Sequence, residues 1–127
     1  MNMGEYKITV DHSMKIIRVV ASGNFEKKLG DEMITKTRTT ASEHGYNIFC
    51  DASKAIVNVS VIEWFLLPRT LPVLQDQKIR SIKAAVLIPT GKQKENFKFY
   101  ETVTYNVGMN LRVFFNEEDA INWLINE

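Results

Sequence analysis

The stretch IKAAVLIP, residues 82–89, decides the fold class of this chain. Between Ile82 and Ile88 only Lys83 is polar, so the run does not alternate between apolar and polar side chains. A strand of this kind is typical of a parallel sheet that is covered on both faces, because neither face meets water. The stretch therefore predicts a central strand of an α/β domain.

An antiparallel hairpin is predicted at the start of the chain. Residues 6–10 alternate between apolar and polar side chains, which is the period of a half-buried strand. A second strand, 15–21, follows the polar turn at 11–13, and so short a connection favours antiparallel pairing. The polar residues 22–24 are expected to end the second strand.

The rest of the chain alternates between predicted helices and strands. These elements are a helix at 25–44, a strand at 46–51, a helix from residue 60, the strand at 82–88, a helix at 92–107, a strand at 111–115 and a helix capped by Asn116. The order ββαβαβαβα predicts a mostly parallel five-stranded sheet with an antiparallel N-terminal edge strand, because strand–helix–strand steps are right-handed crossovers. We expect one domain, 1–127.

Composition and charge exclude several function classes. Hydrophobic residues make up 45% and charged residues 24%, which is ordinary for a folded domain. With a net charge of only +1, the chain does not produce the broad positive field that nucleic-acid binding requires. No apolar run approaches the roughly 18 residues of a membrane span, and the N-terminus does not resemble a signal peptide. We therefore expect a cytoplasmic protein that binds no nucleic acid and does not span a membrane.

No residue pattern indicates catalysis, a cofactor or a metal. His12 and His44 are far apart in the element order, and neither has a second ligand at metal-binding spacing. Cys50 is the only cysteine and lies in an apolar run, so we expect a buried core thiol. An enzyme using Asp51 and Lys92 is the least supported alternative, because two isolated charged groups do not make a site.

A weak anion-site candidate follows the central strand. Thr90, Gly91 and Lys92 lie between that strand and the next helix, where backbone N–H groups favour an anion. They supply only a fragment of the GxxxxGK[ST] phosphate loop. An ordinary strand-to-helix turn explains the same residues.

The segment VSVIEWFLL, residues 59–67, is the strongest pointer to an interaction role. Ser60 and Glu63 have the spacing of a capping box and are its only polar residues. A helix that is apolar around its circumference must be buried on more than one side, by a second copy of the chain or by an apolar ligand. The candidate contact residues are Val61, Trp64, Phe65, Leu66 and Leu67.

A second reading places this segment wholly in the core. Pro68 and Pro72 follow it directly. Proline lacks an N–H, and its ring clashes with the preceding turn, so we expect a break or kink there. A broken helix could fold its apolar side chains inward, which would leave no surface for a partner.

Residues 112–124 read RVFFNEEDAINWL, and residues 50–53 read CDAS. Both stretches resemble the SpoIIAA-like proteins of the broader STAS and Sec14-like class. In the anti-sigma-factor antagonists of that class a serine is phosphorylated by a partner kinase, so the resemblance implies Ser60, and next Ser53, as regulatory phosphoacceptors. The residues around Ser60 lack the acidic residue and the glycine of that family's Asp-Ser-Ser-Gly element.

Two functions from different classes remain open. The first is a non-enzymatic protein-interaction or regulatory domain, homodimeric through the helix around Trp64, with Ser53 and Ser60 at its regulatory surface. The alternative, implied by the Sec14-like relatives, is a small carrier of an apolar or lipid ligand. Val61, Trp64, Phe65 and Leu67 would line the pocket of such a carrier.

Overall fold

One five-stranded sheet organises the molecule. The structure, a computed structural model, describes residues 3–89, 91 and 93–126. The strands are β1 Glu5–Asp11, β2 Ile16–Phe25, β3 Asn47–Val57, β4 Ala84–Leu87 and β5 Leu111–Phe114, and they lie in that order in the sheet. The β1–β2 pair is antiparallel and the other three pairs are parallel, which confirms the predicted α/β architecture.

Five α-helices connect or follow the strands of the described residues. They are α1 Lys27–His44, α2 Val61–Thr70, α3 Gln77–Arg80, α4 Gln93–Asn106 and α5 Glu117–Ile125, with a 3₁₀ turn at Pro72–Gln75. The predicted helix ends at Gly45 and Asn116 are confirmed. Gly45 ends α1 in the left-handed conformation with φ 69°, and the side chain of Asn116 accepts from the Asp119 amide at 2.9 Å.

The helices cover both faces of the sheet, as the run at 82–88 predicts. Helices α1, α2 and α4 share one large core with Ala84 and Val86, whereas α5 packs on the opposite face with Ala85. Successive side chains of β4 point to opposite faces, so an apolar strand is needed to fill both layers. In the described part of the chain, no helix has both the length and the apolar character to cross a bilayer.

The predicted ends of β2 and β3 are wrong. Strand β2 continues through residues 22–24 to Phe25, and β3 continues past Asp51 to Val57. After an irregularity between Val20 and Ser22, the two strands resume parallel pairing up to Phe25 and Val57. The polar residues in these extensions are typical of turns, but hydrogen bonding to the neighbouring strand outweighs their local preference for turns.

The helix does not break at Pro68, because α2 continues to Thr70, but it does end before Pro72, as predicted. The ring of Pro68 is fully buried, so its packing offsets the backbone hydrogen bond that proline cannot donate. The helix then ends at Leu71, whose N–H donates to the Leu67 carbonyl at 3.0 Å.

A buried arginine ties α1 to the connection that precedes β4. Arg38 is 4% exposed, and its Nη1 donates to the carbonyls of Ile79 and Ile82, each at 3.1 Å. Burial lowers the pKa of Arg38, since desolvation disfavours its charged form. The guanidinium therefore works as a structural donor between two segments that are distant in sequence.

Two glycine variants test this account of the helices. Gly30 lies inside α1, where an added Cβ meets nothing within 4 Å, so Gly30→Ala should raise the free energy of unfolding by about 0.5–1 kcal/mol. Gly108 has φ +81°, and Gly108→Ala should lower the same quantity by about 1 kcal/mol, although its surroundings are equally open. Urea unfolding of both variants measures the difference, and effects of equal sign would contradict the two backbone assignments.

Candidate functional site

Helix α2 carries apolar side chains on two opposite sides. Residues at 100° intervals fall into two groups that face away from each other. The inner side is buried and comprises Trp64, Leu67, Pro68 and Leu71. The other group, which we call the outer stripe, is exposed and comprises Val61 (63%), Ile62 (66%), Phe65 (43%) and Leu66 (40%).

The inner side of α2 is fixed by aromatic packing. Trp64 and Leu67 are each 6% exposed. The Trp64 ring lies against two rings of α4, with centroid separations of 5.5 Å to Phe97 and 4.9 Å to Tyr100. Such contacts fix the rotation of α2 about its own axis. Of the five candidate contact residues, the structure therefore places Trp64 and Leu67 in the core of this chain.

The outer stripe has one aromatic side chain, that of Phe65, at its centre. The guanidinium of Arg69 lies 4.0 Å from the centroid of the Phe65 ring and donates to the Phe65 carbonyl at 3.0 Å. A cation held over one face of the ring leaves the rest of the ring available to a partner. Val61, Phe65 and Leu66 are thus the predicted contact residues that face outward, joined by Ile62.

Ser60 and Ser53 are both exposed, and each has a structural role. The Glu63 amide donates to Ser60 Oγ at 3.2 Å, and the Ser60 amide donates to Glu63 Oε1 at 2.9 Å, which confirms the capping box. Ser53 lies in β3, where its hydroxyl and amide donate to Asp51 Oδ1 at 2.6 and 3.0 Å. Only Ser60 directly precedes the outer stripe in the chain.

The weak anion-site candidates fall mostly outside the described residues. Thr90 and Lys92 are not among them. Gly91 is exposed with φ 84°, and its carbonyl accepts from the Lys94 amide at 3.1 Å. At the same end of α4, the side chain of Gln93 accepts from the Val57 amide at 3.1 Å. These contacts describe a turn that is linked to β3.

The structure brings together two histidines that the sequence separates. The rings of His12 and His44 lie 5.9 Å apart, and His12 Nδ1 is 2.9 Å from the Tyr46 hydroxyl. The sequence did contain a signal for this proximity. His12 lies in the turn before β2 and His44 at the end of α1 before β3, and neighbouring parallel strands begin at the same edge of a sheet. Among the described residues no group of three or more His, Cys, Asp or Glu side chains could hold a metal.

A cavity lies between the sheet and helices α1, α2 and α4. Its volume is about 130 Å³ and its lining is mostly apolar. Trp64 and Leu67 line it, whereas Val61, Phe65 and Leu66 do not. Cys50 is also a lining residue, and burial raises the pKa of its thiol to about 12, so the thiolate needed for nucleophilic chemistry is disfavoured.

The candidate residues thus form two separate features. Trp64 and Leu67 belong to the cavity and the core, and the outer stripe belongs to the surface. The sequence could not predict which residues belong to which feature, because both sides of α2 are apolar. Only the packing of Trp64 decides which side of the helix faces the sheet.

Comparisons with known proteins show a fold and no family. No family model and no curated protein sequence matches the chain. A solved structure that does resemble it is an uncharacterized DUF3478-family protein with a SpoIIAA-like fold from Shewanella loihica PV-4. That protein is 14% identical with a TM-score of 0.61, and the match covers 98% of this chain and 97% of that chain.

Two structures of SpoIIAA are also similar. The anti-sigma factor antagonist SpoIIAA in its unphosphorylated form is 14% identical, with a TM-score of 0.55 over 97% of this chain and 100% of that chain. The Bacillus cell fate determinant SpoIIAA in its phosphorylated form is 15% identical, with a TM-score of 0.52 over 94% and 98%. At these identities the likeness concerns the backbone, and it shows that this chain has the SpoIIAA-like α/β fold over nearly its whole length.

Proposed function

We propose that this chain is a non-enzymatic protein-interaction domain of the cytoplasm that forms a homodimer through the outer stripe of α2. The observation that carries the proposal is the exposure of Val61, Ile62, Phe65 and Leu66 on a helix whose opposite side is fixed in the core. A contiguous apolar patch of this kind on a small domain is typical of a contact surface.

The chemistry of the outer stripe suits a second copy of the same helix. Its spacing of i, i+1, i+4 and i+5 is that of a helix face that packs against another helix. Phe65 provides an aromatic anchor, the residue class that contributes most at interface centres. In an antiparallel pair, Arg69 near the end of one α2 would approach Glu63 in the first turn of the other, so the charges are complementary.

A regulatory role is supported by the likeness to SpoIIAA, which is an anti-sigma factor antagonist with unphosphorylated and phosphorylated forms. Ser60 is the better phosphoacceptor candidate here. Its hydroxyl lies at the N-terminus of α2, where the helix dipole and free amides stabilise a phosphate. Both serines have a carboxylate nearby, but Asp51 bonds directly to the Ser53 hydroxyl, whereas Glu63 bonds to the backbone amide of Ser60. A phosphate on Ser53 would therefore meet the stronger repulsion.

The cavity is the observation that favours the alternative, a small carrier of an apolar ligand. Ligand binding and dimerisation would use opposite sides of α2, because Trp64 lines the cavity and Phe65 does not. The two functions are therefore compatible in one molecule, and separate experiments distinguish them.

Phe65→Glu tests the homodimer. A charge at the centre of the outer stripe should convert a wild-type dimer into a monomer, because burying an unpaired carboxylate is strongly unfavourable. Size-exclusion chromatography with light scattering at micromolar concentrations measures the mass. Tyr105→Glu is the matched control, since Tyr105 is 77% exposed on α4 and should leave the dimer intact. A wild-type monomer, or equal loss of the dimer in both variants, would refute the proposal.

Phosphopeptide mass spectrometry on protein isolated from its own cells tests the regulatory site. We expect one phosphoryl group on the peptide containing Ser60, absent in Ser60→Ala and retained in Ser53→Ala. Ser60→Ala should also lower the free energy of unfolding by about 1 kcal/mol, because it removes the helix cap. Phosphorylation that persists in Ser60→Ala, or its absence under every growth condition, would count against Ser60.

A further inference from the structure

Two residues that line the cavity each carry a buried polar atom without a hydrogen-bond partner. Thr37 is 5% exposed, Trp64 is 6% exposed, and both residues line the cavity. Within residues 3–89, 91 and 93–126, neither Thr37 Oγ1 nor Trp64 Nε1 makes a hydrogen bond. Buried polar side-chain atoms are nearly always paired, so each orphan requires an explanation.

The chemistry of these two atoms restricts the missing partner. The indole N–H of Trp64 can only donate, so its partner must be an acceptor. A threonine inside a helix commonly donates to a carbonyl of the preceding turn, as Thr40 does to Lys36 at 2.8 Å. Thr37 makes no such bond in the described structure, so its hydroxyl is also free for an acceptor.

A buried cation next to Thr37 adds a preference for negative charge. Arg38 lines the same cavity and is 4% exposed, whereas the other charged lining residues, Glu26 and Lys27, are exposed and half-buried, respectively. Arg38 donates to two backbone carbonyls, and none of the salt bridges between described residues includes it. An unpaired buried charge is costly, and an anion in the cavity would offset that cost.

The remaining orphan atom does not belong to this set. Asp31 Oδ1 is also buried without a partner, but Asp31 is not a lining residue of the cavity. Its other oxygen accepts from Lys27 Nζ at 2.5 Å. The unpartnered donors of the cavity are therefore those of Thr37 and Trp64.

The size of the cavity limits the ligand to a small molecule. Its volume of about 130 Å³ is close to that of an apolar protein cavity of roughly 150 Å³ that admits benzene. The surrounding side chains are mostly aliphatic and aromatic. A six-membered ring or a short branched chain fits such a space, whereas a whole lipid does not.

We propose that this cavity is a binding site for a small apolar carboxylate, whose body fills the apolar space and whose oxygens accept from Trp64 Nε1 and Thr37 Oγ1 beside Arg38. The site goes beyond the proposed dimer, because no residue of the outer stripe lines it. Failure of either proposal leaves the other standing, since one is measured by mass and the other by ligand titration.

Titration of the isotopically labelled protein with benzoate tests the site by nuclear magnetic resonance. The indole N–H resonance of Trp64 should shift saturably at millimolar concentrations or below. The indole N–H resonance of Trp123 is an internal reference, because Trp123 belongs to α5 on the opposite face of the sheet. Toluene has a similar ring and no acceptor, so it should bind more weakly and shift the Trp64 indole resonance less.

A pair of threonine variants identifies the anchor. Thr37→Val keeps the shape of the side chain and should weaken benzoate binding about tenfold, the effect of one lost hydrogen bond to a charged group. Thr39→Val is the matched control, since Thr39 is exposed on the same helix and should bind as wild type does. The spectra of both variants also report whether each remains folded.

Three results would overturn the proposal. The Trp64 indole resonance could stay unchanged while benzoate is added, which would mean that the cavity does not bind a small carboxylate. Toluene could bind as tightly as benzoate, which would remove the role of the carboxylate. Folded Thr37→Val could bind benzoate with wild-type affinity, which would remove the hydroxyl anchor.

Discussion

The packing of Trp64 against Phe97 and Tyr100 is the contact on which the rest of the site depends. Helix α2 is apolar on two sides, so hydrophobicity alone would allow either side to face the sheet. The indole packs against two rings of α4 within the large core and therefore selects one rotation of the helix. That rotation leaves Phe65 and its neighbours at the surface and places Trp64 in the wall of the cavity.

One helix thus connects an internal cavity with an external surface. A ligand that accepts from Trp64 would stabilise the present rotation of α2, and a partner on Phe65 would stabilise the same rotation from outside. The capping box at Ser60 fixes the start of this helix, so a charge placed there would act on both features.

Local signals in the sequence were enough to predict the order of elements and several boundaries. The cap at Asn116, the stop at Gly45 and the capping box at Ser60 depend on neighbouring residues only, and all three are confirmed. The extension of β3 to Val57 depends on pairing with β2, and the continuation of α2 past Pro68 depends on burial of the proline ring. Those contacts are distant in sequence, so no local pattern could reveal them.

The sequence predicted the candidate residues of α2 as one contact surface. In the structure, packing divides them between the core and the exposed outer stripe. The sequence identified α2 as the important element, but the two orphan donors of the cavity come from α2 and from Thr37 in α1. Nothing near Thr37 in the sequence distinguishes it from the threonines around it. Only the tertiary structure shows that its hydroxyl is buried without a hydrogen-bond partner.

A dilution series followed by amide resonances tests the central claim, that the rotation of α2 presents the outer stripe to a second copy. We predict that the amide resonances of residues 61–66 shift together as the protein is diluted, with one dissociation constant, while resonances on the α5 face stay in place. The tumbling time at high concentration should be that of a dimer. Unchanged spectra with the tumbling time of a monomer at every concentration would contradict the account.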